Sequence, residues 1–147
     1  MKRIIIYQDL ARILLGLFLV FAGTSHLTFA RSEFQAQVPD WVPLDKDLTV
    51  ILSGIAEVSL GLALMLWAKQ KKLTGLAAAL FFIAVFPGNI SQYKNKVDAF
   101  GLDTDNKRLV RLFFQPVLVA WALYGSTVFN KPQTPKGALG GKRKVER

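Results

Sequence analysis

The sequence predicts an all-α integral membrane protein, a bundle of four transmembrane helices with both termini cytoplasmic. Three observations carry this expectation. Of the 147 residues, 52% are hydrophobic and only 20% charged, and the mean hydropathy is +0.31. The apolar residues gather into four blocks, each close to the ~20 residues that a bilayer crossing needs. Positive charge collects at the ends and the one connection that four crossings would place on the same side.

The blocks run from Leu10 to Leu27, Leu48 to Trp67, Leu73 to Ile90 and Leu109 to Val128. Each is rich in Leu, Ala, Phe and Gly without sustained period-two alternation, which favours helices over barrel strands. The first block follows Lys2 and Arg3 and loosely resembles a secretory signal, with Val20-Phe21-Ala22 as a cleavage site. Asp9 and Arg12 interrupt that run, and its removal would leave an odd number of helices with mismatched flanks, so it reads as the first span. Residues 1–130 thus form one four-helix domain. Residues 131–147, with Pro132, Pro135 and a Gly-rich run before Lys142-Arg143-Lys144, read as a basic, disordered cytoplasmic tail.

The formal net charge of +9 comes from 19 Lys and Arg against 10 Asp and Glu. The N-terminus, the connection holding Lys69, Lys71 and Lys72, and the tail carry +2, +3 and +5, whereas the loops from Phe29 to Asp47 and from Ser91 to Arg108 carry −2 and +1. Basicity is therefore a topology signal, with a second role for the tail on anionic headgroups, and not a nucleic-acid footprint. The absence of cysteine excludes disulfides, thiolate zinc, iron–sulfur clusters and thiol catalysis within the chain. A single histidine argues against a metal centre.

Helices in lipid associate through close approach of small residues. Gly16 and Gly23 on span one, and Gly54 and Gly61 on span two, lie two turns apart and mark the seams. Glu57 follows Gly54 by three residues, so it points into the bundle. At about 1.5 Å per residue it lies roughly 14 Å below the outer surface, where an unpaired ion is costly. On span four the same reckoning places Arg111 about 3 Å deep and Gln115 about 9 Å deep. The expected ladder sets Arg111 near Ser53 and Gln115 near Glu57.

His26 with Thr24 and Ser25 at the exit of span one, and Asn89 with Gln92 at the exit of span three, add polar groups to the same outer half. Pro87 leaves a carbonyl one turn earlier for these groups to satisfy. Together they suggest a funnel open to the extracytoplasmic side and lidded by the amphipathic segment from Arg31 to Pro43, which holds Phe34 and Trp41. The structural alternative carries equal weight: Glu57 and Arg111 neutralise each other and fix helix packing. His26 reads as a hydrogen-bonded structural residue, Asp9 and Arg12 as a local ion pair, Trp67 and Trp121 as packing residues and Trp41 as an interface anchor.

Five segments carry a resemblance: Phe21-Ala22-Gly23-Thr24-Ser25-His26-Leu27, Val38-Pro39-Asp40-Trp41-Val42-Pro43, Ser53-Gly54-Ile55-Ala56-Glu57, Phe86-Pro87-Gly88-Asn89 and Arg111-Leu112-Phe113-Phe114-Gln115. In order they resemble the motifs of the DoxX family of small bacterial membrane proteins. That resemblance implies a four-helix bundle in the bacterial plasma membrane, with His26, Glu57, Asn89, Arg111 and Gln115 as recurrent polar positions. It implies little about activity, beyond relatives that serve thiosulfate:quinone oxidation, methylamine-enzyme maturation or membrane complexes.

Three functions follow as expectations. The first is an accessory or assembly subunit for a membrane or extracytoplasmic redox partner, without catalysis of its own. The second is a site for a quinone or lipid-like molecule, formed by His26, Ser53, Glu57, Asn89, Arg111 and Gln115 and walled by Phe81, Phe82 or Phe113. The third, a proton-coupled carrier using Glu57 and His26, meets an apolar cytoplasmic half. A homodimer is a further expectation for so small a bundle.

Overall fold

The computed structural model describes residues 2–129, and among these the chain is all-helical. The order is α1 (Lys2–Leu27), a short α2 (Arg31–Gln35), α3 (Lys46–Leu66), α4 (Lys71–Lys94) and α5 (Asp105–Gly125). One 3₁₀ turn, Ala68–Gln70, links α3 to α4. The expected tail over 131–147 lies outside the described residues.

Each long helix covers most or all of one apolar block and starts before it, α3 ending at Leu66 and α5 at Gly125, just short of the ends of their blocks. Polar residues extend the helices, because a backbone leaving lipid still keeps its hydrogen bonds until a cap replaces them. Asp45 caps α3 by accepting from the Asp47 and Leu48 amides at 2.9 and 3.1 Å, and Thr104 accepts from Lys107 N at the start of α5.

Three segments, Arg3–Leu27, Lys46–Leu66 and Ala68–Lys94, are long and apolar enough to cross a membrane. The expectation of four such helices is thus met for α1, α3 and α4. The helix α5 is as long as α3 but less apolar, because Arg108, Arg111 and Gln115 interrupt it. Those three turn inward, while Val110, Phe113 and Val117 leave the surface apolar on the other side.

The bundle is two tight pairs set side by side. α1 packs along the length of α3 and α4 along α5, α1 leans on α5, and α3 and α4 touch sparingly. Glycine makes the first pair possible. A Cβ on Gly61 would stand 2.6 Å from the Gly16 carbonyl oxygen, and one on Gly23 would stand 2.6 Å from that of Gly54. The backbones therefore meet at both crossings without side chains between them.

The pairs close on each other towards the end that carries Lys71. Leu15, Leu19, Leu64, Ala78, Ala79, Phe82, Leu118 and Ala122 form a continuous buried core there. Arg12, also buried, donates from Nη1 to the Leu64 and Met65 carbonyls, which the end of α3 leaves without helical donors. Asp9 stands 3.5 Å from Arg12 and 3.3 Å from Lys71, so the expected local ion pair extends to α4. Trp121 does more than fill lipid-facing space, because its indole N–H donates to the Ala11 carbonyl at 2.8 Å.

Candidate functional site

At the opposite end the same helices part. Between the two pairs lies a chamber of about 460 Å³, roofed by α2 and the turns that follow it. All six of the sequence-derived candidates, His26, Ser53, Glu57, Asn89, Arg111 and Gln115, line it. The lower wall is apolar, from Phe18, Phe82, Phe114 and Leu118, and the roof contributes Phe34, Gln37, Val38 and Trp41. A few convergent polar groups in an apolar concavity of this size are the usual makings of a small-molecule site.

The polar groups form two separate assemblies. The first radiates from Arg111. Its Nε donates to Asn89 Oδ1 at 3.3 Å, and its Nη2 donates to Gln37 Oε1 at 3.0 Å. A guanidinium has donors only, so both amides must turn their oxygens to it and pass their own N–H groups onward. Asn89 donates to Gln115 Oε1 at 2.9 Å, and Gln115 donates to the Phe82 carbonyl at 2.7 Å. Gln37 donates to Gln92 Oε1 at 3.0 Å, and Gln92 ends on the Val97 carbonyl. Phe100 faces the guanidinium at 4.9 Å from ring centroid to Cζ.

The second assembly is His26 with Glu57. Nδ1 and Oε2 approach to 2.7 Å at an angle poor for a hydrogen bond, and neither atom has another partner. Glu57 is only 7% exposed, as its place on the Gly54 and Gly61 face requires. Phe34 of α2 sits edge-on against the imidazole and shields it. Two facing groups of this kind can share or exchange one proton.

Several expectations change here. Glu57 makes its direct contact with His26 and feels Arg111 only through its field, so the expected direct pairing of Glu57 with Arg111 is replaced by a histidine contact. Gln115 spends its hydrogen bonds on Asn89 and Phe82, and Ser53 turns its hydroxyl back to the Val50 carbonyl at 3.0 Å. Depth along a helix gives height but not direction, and that accounts for each of these. Gln115 also stops one residue short of the Ile83 carbonyl that Pro87 deprives of its donor. Of the expected aromatic walls, Phe82 lines the chamber, Phe81 packs beside it and Phe113 is 67% exposed on the outer face. Phe114, its neighbour, takes the inner position.

Gln37 and Phe100 escaped the sequence reading. Gln37 sits in the roof, whose path depends on tertiary contacts. Phe100 adopts a left-handed backbone, φ 57°, which costs a bulky residue about 1 kcal/mol or more. Its amide donates to Glu33 at 2.6 Å and its ring packs on Phe34, 4.5 Å between centroids. These contacts hold the strained residue against Arg111. The buried Arg108, bound to Asp98 and Asp105, fixes the same loop.

The roof is tied to α3 by ion pairs at the surface. Arg31 donates twice to Asp47, Gln35 donates to the same carboxylate, and Lys46 meets Asp40 at 2.7 Å. The Lys46 hydrogen bond holds the Asp40 carboxyl below its ordinary range, and the Asp47 hydrogen bond holds the Arg31 guanidinium further toward its charged form. Asp103, accepting from Lys107 at 2.6 Å, is likewise held low.

A family model described as a domain of unknown function (DUF8561) matches residues 15–125, and the chain belongs to that family. The DoxX resemblance is thereby corrected. Its short motifs of small, aromatic and polar residues at helix ends meet general demands of helix packing in lipid, so they do not single out one family. The implied bacterial plasma membrane and redox associations lose their support with it. No curated protein and no solved structure matches the chain.

Proposed function

With family membership bringing no activity, we propose that this chain is a multi-pass membrane protein whose chamber binds a small amphiphile, a quinone or a lipid-like molecule. The observation that carries the reading is the division of the chamber. One side presents the Arg111, Asn89 and Gln37 cluster, and the other presents Phe18, Phe82, Phe114 and Leu118. A molecule with one polar end and one apolar body matches both sides at once.

The apolar outer face of α5 supports a fourth crossing, since beyond its exposed first turn the polar residues Arg108, Arg111 and Gln115 turn inward. Lys69, Lys71 and Lys72 lie at the same end as the start of α1, which supports a cytoplasmic assignment for that end. The chamber then opens toward the extracytoplasmic half. The closed core below it disfavours a carrier. An accessory subunit, the role first expected, drew on the DoxX resemblance, and ligand binding now stands ahead of it.

Native mass spectrometry of the full chain released from its own membrane tests the reading. The expected result is a stoichiometric small-molecule adduct that is lost in Val85→Trp and in Ser53→Phe, two variants that fill the chamber from α4 and α3. A bare chain or homodimer beside a stoichiometric protein partner would instead support the accessory role and overturn ligand binding.

A further inference from the structure

Arg111 is a cation held almost wholly by neutral groups. Among the described residues no carboxylate lies within 4.0 Å of its guanidinium, and its protein partners are two amide oxygens and the Phe100 ring. Each amide oxygen is already committed to it, because both amide nitrogens donate elsewhere. Among the described residues no hydrogen bond engages Nη1, although Arg111 lines the chamber. Glu57, the carboxyl group of the chamber, has His26 as its direct contact and acts on Arg111 only through its field, without an ion pair.

A charge taken from water needs a counter-charge or a full set of hydrogen bonds, and Arg111 has only part of the second. Its relays are also arranged in a way that fixes it. The arm through Asn89 and Gln115 ends on α4, and the arm through Gln37 and Gln92 ends on the loop at Val97. The guanidinium is thus anchored from both sides with donor capacity left over, the pattern of a cation preorganised for an anion.

We propose that the amphiphile in this chamber carries an anionic head, a carboxylate or a phosphate monoester, seated on Arg111 beneath the roof. The inference rests on the ligand-binding reading above and specifies its substrate class. The head accepts from Nη1, and the apolar body runs toward Phe82, Phe114 and Leu118. Glu57 repels such a head, so the head stays on the Asn89 and Gln37 side. Gln37, donated by the roof itself, makes head binding and roof closure parts of one arrangement.

The test follows thermal unfolding of the full chain in neutral maltoside micelles, titrated with laurate, lauryl phosphate, lauryl alcohol and inorganic phosphate. Laurate and lauryl phosphate are expected to half-saturate at a concentration about tenfold lower than the alcohol, as a charge-assisted hydrogen bond implies. In Arg111→Gln that advantage is expected to vanish while the response to the alcohol persists. Inorganic phosphate alone is expected to produce no shift. Equal half-saturation by acid and alcohol in the unsubstituted chain would overturn the anionic head and leave the chamber's role standing. The anionic head is overturned in the same way if the preference survives Arg111→Gln, or if inorganic phosphate matches lauryl phosphate and the site takes a free anion. No response to any of the three amphiphiles would overturn the binding reading itself. The head-group comparison in the unsubstituted chain decides the matter even where Arg111→Gln fails to fold.

Discussion

The two ends of this bundle are built from the same four long helices and differ in what lies between them. Near Lys71 the two helix pairs are drawn together by small residues and filled by Leu and Ala, and the buried cation Arg12 is spent on helix-end carbonyls. Near His26 each pair stays tight, Gly23 against Gly54 included, yet the pairs separate and leave about 460 Å³. There the half-buried cation Arg111 has, among the described residues, only amides and an aromatic face as partners. Close approach within a pair therefore does not determine whether a space opens between pairs. Both arginines keep donors in hand, since Arg12 reaches the backbone only through Nη1; what differs is that Arg12 has Asp9 3.5 Å away and lies outside the chamber, whereas Arg111 borders it.

The largest expected effect strikes the closed end. Gly125→Leu forces a side chain between the pairs where even a Cβ would stand 2.9 Å from the Arg12 backbone nitrogen and 3.1 Å from its Cα, so the chain should lose about 3 kcal/mol in denaturant titration. Gly88→Ala, at the open end, meets only the Gln37 oxygen at 3.4 Å and should stay within about 0.5 kcal/mol of the parent. Similar losses for the two would erase the distinction between the ends.

The two arginines give the next contrast. Arg12→Leu strands the last carbonyls of α3 and should cost about 2 kcal/mol while leaving amphiphile binding intact. Arg111→Gln should do the reverse, with stability within about 1 kcal/mol of the parent and preference for anionic heads gone. Smaller still is the effect at Glu57. Glu57→Ala leaves the buried His26 nitrogen facing nothing and should cost about 1 kcal/mol, more than Glu57→Gln, as unfolding midpoints would show.

Proton concentration should matter least for the roof. Asp40 is exposed and its folded pKa lies below its unfolded value, so its small contribution is complete above the unfolded value and fades only as pH falls through the folded one. Hydrogen exchange over residues 34–42 should therefore leave the Asp40 tie intact between about pH 5 and 8. Loosening of that tie within this window would contradict the assignment.

The four long helices were legible because length and apolarity act locally. So was the inward turn of Glu57, since Gly54, Glu57, Gly61 and Leu64 fall on one buried helix face. The six candidate positions met in one chamber because polar residues in helices this apolar have few other places to turn. Pairing was not legible: His26 reaches Glu57 across the α1 and α3 seam, which no count of residues along either helix reveals. Phe113 and Phe114 differ by about 100° around α5, and depth cannot say which faces inward. Gln37 and Phe100 depend on a roof and a loop held by Asp47, Glu33 and Arg108, contacts between segments far apart in sequence.

Photo-crosslinking with a fatty acid bearing a mid-chain diazirine tests most directly whether the open end is a site or only a gap. The account predicts saturable adducts on chamber residues such as Phe82, Phe114 and Leu118 that an excess of laurate prevents and that Val85→Trp abolishes. Adducts confined to the outward residues Leu80, Val110 and Phe113, insensitive to laurate and to Val85→Trp, would contradict it.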